Sequence, residues 1–169
     1  MEIDEVEEKV PKALKKKELT QKARYLDDND LKTLAKKCGF ELHIIDLDKF
    51  SQEPTDEKGY YAIYTGNEDN AFNKGRTHHW LAGHAHNIFD PIGFTDWKIP
   101  QRWHFFTGKQ FQPFNTNTCG EFVIGWLNYC YKSQGDPLTT RGFMKMYMLG
   151  SNKSENDDQI LKFIHQLKK

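Results

Sequence analysis

The chain has 169 residues, enough for one domain with a single sizeable core. Lys+Arg and Asp+Glu are both 24, so the formal net charge is zero and points to neither nucleic acid nor an anionic membrane. No apolar run approaches the ~18 residues of a membrane span and no signal-peptide pattern is present, so a soluble, non-secreted protein without a membrane partner is expected.

Residues 1–20 divide into an acidic half (Glu2, Asp4, Glu5, Glu7, Glu8) and a basic half (Lys9, Lys12, Lys15, Lys16, Lys17). Pro11 interrupts any single helix, so a charged arm, partly disordered, is expected ahead of one domain over 21–169. Leu31, Leu34, Ala35 and Cys38 form an apolar stripe that predicts a helix, capped by Asp28 or Asn29 and stopped by Gly39. Strands are expected over 40–47 and 60–64, with polar loops around Ser51–Asp56 and over 67–76. The three cysteines, Cys38, Cys119 and Cys130, make neither an even disulfide set nor a CxxC zinc pattern. A reducing compartment suits them, and Cys38 reads as core.

The stretch Thr77-His78-His79-Trp80 to Asp90-Pro91-Ile92-Gly93-Phe94 reads as two short strands joined by a tight turn. Pairing them as a hairpin would bring its outer ends together, with His79 and Asp90 in hydrogen-bond reach. A histidine so held can act as a base while the carboxylate fixes its tautomer. His78 competes with His79 for that role, and spacing does not separate them. His84 and His86, two apart, would share one strand face and raise a metal site, but no Cys or carboxylate cluster completes four ligands. No metal and no cofactor are expected.

Thr118 followed by Glu121 reads as a capping box, starting a helix at Cys119 with Phe122, Val123, Trp126, Leu127 and Cys130 on its buried face. A thiol on a helix's first turn meets unpaired N–H groups and the positive end of the dipole, which favour the thiolate. The plainer reading of Cys119 is a small buried hydrophobe. Further on, 135–138 reads as a loop and Phe143 to Leu149 as a helix ending near Gly150, with Met144, Met146 and Met148 as core filler. After a polar loop over 151–158, Ile160, Leu161, Ile164 and Leu167 predict a last amphipathic helix.

Taken together, His79-Trp80, Phe89-Asp90-Pro91-Ile92-Gly93-Phe94-Thr95-Asp96, Gln112 and Cys119-Gly120 resemble the adenovirus maturation protease. They resemble more broadly the cysteine-protease clan that includes the ubiquitin-like-modifier proteases, in which His, acid, Gln and Cys follow in that order. Gln112 precedes Cys119 by seven residues, as in the adenoviral enzyme, whereas the modifier proteases usually have six. Asp90 stands where the adenoviral enzyme has Glu, and the His79–Asp90 turn is shorter than in that enzyme. The similarity spans roughly residues 25 to 165.

The resemblance implies an α+β, adenain-like cysteine-protease fold: a small mixed sheet against a central helix carrying the nucleophile at its N-terminus. It makes Cys119 the nucleophile, His79 the base, Asp90 the orienting carboxylate and Gln112 an oxyanion donor. Trp80 would wall the substrate groove, or be a core aromatic. Gly120 would admit a substrate backbone, or allow tight packing. The implied activity is viral maturation of capsid or precursor proteins, cut after small residues such as glycine, in a virophage or Maverick/Polinton-type virus. The location would be the virion and the host-cell interior. The alternatives are a deconjugating protease for a ubiquitin-like modifier and a non-catalytic binding module. The adenoviral relative uses an activating peptide and DNA; the neutral charge here argues against DNA.

Overall fold

A computed structural model describes residues 25–52, 55–66 and 79–169. The N-terminal arm at 1–20, the polar loop at 67–76 and His78 lie outside the described residues.

Helix α1 (Asp28–Cys38) forms on the expected stripe, with Leu31, Leu34, Ala35 and Cys38 all buried. Its cap is Asp27 rather than Asp28 or Asn29: the Asp27 carboxylate accepts from Asp30 N, and the Asp30 carboxylate accepts from Asp27 N. This reciprocal pair satisfies two otherwise orphaned donors. Gly39 ends the helix at φ 110, where a side chain would be strained.

Among the described residues five strands lie side by side in chain order: β1 (Leu42–Asp46), β2 (Tyr60–Tyr64), β3 (Trp80–His84), β4 (Asn87–Phe89) and β5 (His104–Phe105). The outer pairs β1–β2 and β4–β5 are parallel, while β2–β3 and β3–β4 are antiparallel. The sheet is therefore mixed and the fold α+β. Two elements escape the sequence reading because they are too short to show a period. One is β5, and the other is the single-turn-and-a-half helix α2 (Leu47–Gln52), which buries Leu47 and Phe50.

Alternation along the strands gives the sheet two buried faces. Ala62, Trp80, Ala82 and Phe89 meet the main helical core, and Tyr61, Ile63, Leu81 and Ile88 meet Leu47, Phe50, Trp97 and Trp103. Across the first face lies α3 (Cys119–Lys132), buried at every residue from Cys119 to Cys130. This is the central helix; the two helices that follow pack on it.

Helix α4 (Thr140–Tyr147) buries Phe143 and Tyr147. Met144 packs against the core, but Met146 and Met148 are exposed, Met148 by 76%, so the expected core role fails for both. The buried stripe of this short helix is already filled by the two aromatic rings. Helix α5 (Lys153–Leu167) starts inside the stretch 151–158 expected as a loop, capped by the Asn152 side chain accepting from Glu155 N. Its first buried residues, Asn156 and Asp157, are polar and so hide the apolar period there. No helix among the described residues is long and apolar enough to cross a membrane.

Candidate active site

The β3–β4 hairpin turns on Ala85 and His86, both at positive φ (52 and 67). This is the left-handed pair that a two-residue hairpin turn requires, in residues that rarely supply it. The register pairs Ala82 with Phe89, Gly83 with Ile88 and His84 with Asn87. Extending it one step places Asp90 opposite Leu81, and His79 two residues further along on the same face. His79 and Asp90 are thus diagonal neighbours, close enough for their side chains to meet.

They do meet. His79 Nε2–H donates to Asp90 Oδ1 at 2.8 Å, with both groups buried. The main chain of His79 is held as well, its carbonyl accepting from Thr65 N and from Thr65 Oγ1, each at 3.0 Å. Asp90 in turn opens a tight turn: Ile92 N donates to its Oδ1 at 2.8 Å and Gly93 N to its carbonyl at 2.9 Å. An aspartate before proline favours this arrangement. Gly93 closes it at φ 92, where a Cβ would lie 2.7 Å from the Gly108 carbonyl oxygen.

The remaining carboxylate oxygen is taken by a residue the sequence did not single out. Trp97 Nε1–H donates to Asp90 Oδ2 at 2.8 Å, and its ring stacks on His79 with centroids 6.0 Å apart. A lone tryptophan reads as core; the available signal is that a buried indole N–H needs an acceptor and Asp90 is close in sequence. Trp97→Phe keeps the stacking surface and loses a hydrogen bond to a charged group, commonly about 1.5–3 kcal/mol. Thermal unfolding should shift down by several degrees, and the alkaline limit of any His79-dependent reaction should shift down with it. Unchanged values of both would show that the indole does not position the carboxylate.

Cys119 begins α3 and is 3% exposed. The His79 ring is hydrogen-bonded to it; with Nε2 committed to Asp90, Nδ1 is the nitrogen that faces the thiol. Burial by itself lowers the affinity of His79 for a proton, but the Asp90 charge and hydrogen bond, with Cys119, outweigh it and raise the pKa to about 9. The three residues form one connected unit: carboxylate, imidazole, thiol.

The capping box expected at the head of α3 does not form. Thr118 makes no cap hydrogen bond; its hydroxyl donates instead to Asp157 Oδ1 on α5, at 2.7 Å. Glu121 is buried, and its Oε1 has no hydrogen-bond partner. Burial pushes its carboxyl up to about 8, with Asp157 adding to the rise and its own main-chain N–H opposing it. The unfolded chain releases this proton near the ordinary 4.5 and the folded chain near 8, so stability from this group falls as pH rises across that window. Glu121→Gln should therefore raise the melting temperature at pH 8.5, by about 2–4 °C per kcal/mol recovered, and leave it unchanged at pH 4. An equal change at both pH values would contradict this.

No protein-family model matches this chain, and no curated protein does.

Gln112 lies in the turn-rich segment before α3, 1% exposed. Its Nε2 donates to the Thr116 carbonyl at 3.0 Å, a longer contact of 3.4 Å reaches Thr116 Oγ1, and its Oε1 has no hydrogen-bond partner. Gln112 N and Phe111 N both donate to the Pro91 carbonyl, which ties this segment to the Asp90 turn. Trp80 is buried, donates from Nε1 to the Leu26 carbonyl at 3.0 Å and stacks with Tyr25. Of its two roles, this is the position of the core aromatic. A Cβ at Gly120 would come 3.2 Å from side-chain atoms of Leu26 and Leu31, so its missing side chain serves the approach of the α1 region to α3. A groove-wall role for Trp80 and a substrate-facing role for Gly120 have no support in these contacts.

His84 and His86 do not share a face: the strand ends at His84 and His86 sits in the turn. His84 Nδ1 is 3.0 Å from the Gly59 carbonyl and its ring stacks on Tyr60, while His86 pairs with Glu57 at 2.7 Å. Among the described residues no group of three or more His, Cys, Asp or Glu side chains is placed to hold a metal ion.

Proposed function

We propose that this chain is an adenain-like cysteine endopeptidase that matures viral capsid or precursor proteins. The observation carrying this reading is the connected unit of Asp90, His79 and Cys119, with the thiol on the first turn of the central helix. An imidazole kept protonated to about pH 9 beside a thiol favours the imidazolium–thiolate pair, which the helix N-terminus assists.

The steps follow from these groups. The Cys119 sulfur attacks a peptide carbonyl carbon, and the carbonyl π electrons move to oxygen. Donors for that oxyanion are the Cys119 main-chain N–H and Gln112 Nε2, whose two protons face the Thr116 carbonyl at 3.0 Å and, more weakly, the Thr116 hydroxyl at 3.4 Å before substrate binds. Collapse breaks the C–N bond while His79 passes its proton to the leaving amine. His79 then takes a proton from water, the hydroxide attacks the thioester, and the thiolate departs.

With His79 and Cys119 both almost closed to solvent, a substrate must approach as a thin extended strand. A glycine or other small residue at the scissile bond meets that requirement. The seven-residue separation of Gln112 and Cys119 favours the maturation reading over a deconjugating protease. No charge excess calls for DNA as an activator, so polypeptide is the expected partner.

The test is co-expression of the wild type and Cys119→Ala with a capsid protein from the same genome, read by intact mass. A truncation with wild type only supports maturation and locates the cleavage site. Intact capsid protein with both, together with cleavage of a ubiquitin-like modifier, would move the assignment to deconjugation. Silence in both assays would leave a non-catalytic module.

A further inference from the structure

The segment 106–118 connects β5 to α3 without regular secondary structure, and on the protease reading it must hold Gln112 in place as an oxyanion donor. Two adjacent residues of α5 hold it, one at Phe111 and one at Thr118. Asn156 Nδ2 donates to the Phe111 carbonyl at 3.2 Å, one residue before Gln112. Asp157 Oδ1 accepts from Thr118 Oγ1 at 2.7 Å, one residue before Cys119. Thr118 Oγ1 lies 3.1 Å from Thr116 Oγ1, and the Thr116 carbonyl holds Gln112 Nε2. A continuous path therefore runs from α5 through two threonines to the Gln112 amide.

Asn156 and Asp157 are each 1% exposed on a helix whose other buried residues are Ile160 and Ile164. Burying an amide and a carboxylate costs stability that an apolar pair would not. Asp157 Oδ2 remains without a hydrogen-bond partner, and burial raises the carboxyl to about 7 against the hydrogen bond of Thr118. Asn156 also holds Gly150, accepting from its N–H at 2.8 Å and donating to its carbonyl at 2.9 Å, so it ties the α4–α5 connection to Phe111, while Asp157 serves the loop ahead of Cys119.

We infer that Asn156 and Asp157 are positioning residues that hold the Gln112–Thr118 segment in the form needed to stabilise an oxyanion. This rests on the protease reading above. Such a role separates two reactions of one thiol. Addition of Cys119 to the carbonyl of p-nitrophenyl acetate, expelling p-nitrophenolate and leaving an S-acetyl group, passes through an oxyanion. Alkylation by iodoacetamide, in which sulfur displaces iodide at a CH₂ carbon, does not.

The experiment measures both rates on the full chain for wild type, Asp157→Ala, Asp157→Asn and Thr118→Val. Asp157→Ala and Thr118→Val should lower acylation about 10- to 100-fold while alkylation stays within about twofold, since small misplacements of such groups cost rate on this scale. Asp157→Asn, which retains an acceptor oxygen for Thr118, should recover most of the loss. If Asp157→Ala does not fold, Thr118→Val reports on the same link. Acylation and alkylation falling together, or neither falling, would overturn the positioning role. A wild type that is alkylated but not acylated would instead refute the protease reading, and this inference with it.

Discussion

Cys119→Ala is expected to abolish peptide-bond cleavage, with turnover falling by about 10⁴-fold or more, as when a nucleophile is removed from a triad. The fold should survive, because one sulfur is lost from a small side chain at the head of a helix buried along its whole inner length. Far-UV circular dichroism unchanged and a melting temperature within a few degrees of wild type would show this. A second consequence separates a catalytic thiol from a merely buried one. Cys119 contributes to the raised affinity of His79 for its proton, so His79 should titrate below about 9 in the variant when followed by NMR. Wild-type turnover in Cys119→Ala, or an unmoved His79 titration, would remove Cys119 from the site.

The second large effect belongs to Asp90. Asp90→Asn removes the charge that opposes burial at His79, and burial alone lowers the imidazole's affinity for a proton. Near neutral pH the ring would then be neutral, the proposed imidazolium–thiolate pair would not form, and on the protease reading turnover should fall about 10³- to 10⁴-fold, as when a triad aspartate becomes asparagine. On the proposed mechanism the protonated His79 is lost as pH rises through about 9, so the alkaline limit of turnover should lie there and move down in the variant. Stability should follow. A folded-state value of about 9 above the ordinary 6.5 gives stabilisation that is complete below 6.5 and lost as pH climbs through 9. Thermal unfolding between pH 6 and 10 should show that decline in wild type and little of it in Asp90→Asn. The variant also turns an amide toward the Trp97 N–H, replacing an acceptor with a second donor, so it should melt lower at every pH. A variant with the wild-type alkaline limit would show that Asp90 does not govern His79.

Sequence reasoning succeeds here wherever the controlling interactions are close along the chain. The stripe Leu31, Leu34, Ala35 and Cys38 and the stop at Gly39 are local features, and α1 follows them. The hairpin that brings His79 to Asp90 is also local, since its turn and alternation lie within a dozen residues, and the side chains meet at 2.8 Å. The start of α3 at Cys119 was legible even though the cap that suggested it was not real. Thr118 and Glu121 have the right spacing for a local box, but Asp157 offers the hydroxyl a charged acceptor from another helix. Glu121 is left buried without that exchange. Local capping lost to a tertiary contact.

The residues alone determined the helix bearing Cys119, the hairpin bearing His79 and Asp90, and hence the chemistry open to the chain. Only the tertiary structure decided which side chains surround those groups. Trp97 on Asp90, Thr65 on the His79 carbonyl, and Asn156 and Asp157 on the Gln112 segment join residues whose separation in sequence runs from 7 to 45. Periodicity and capping act over one or two helical turns or across one hairpin, so a single chain displays them openly. Contacts between distant segments depend on how elements pack after the chain has folded. A buried polar residue such as Asp157 looks, in the sequence, no different from one facing water.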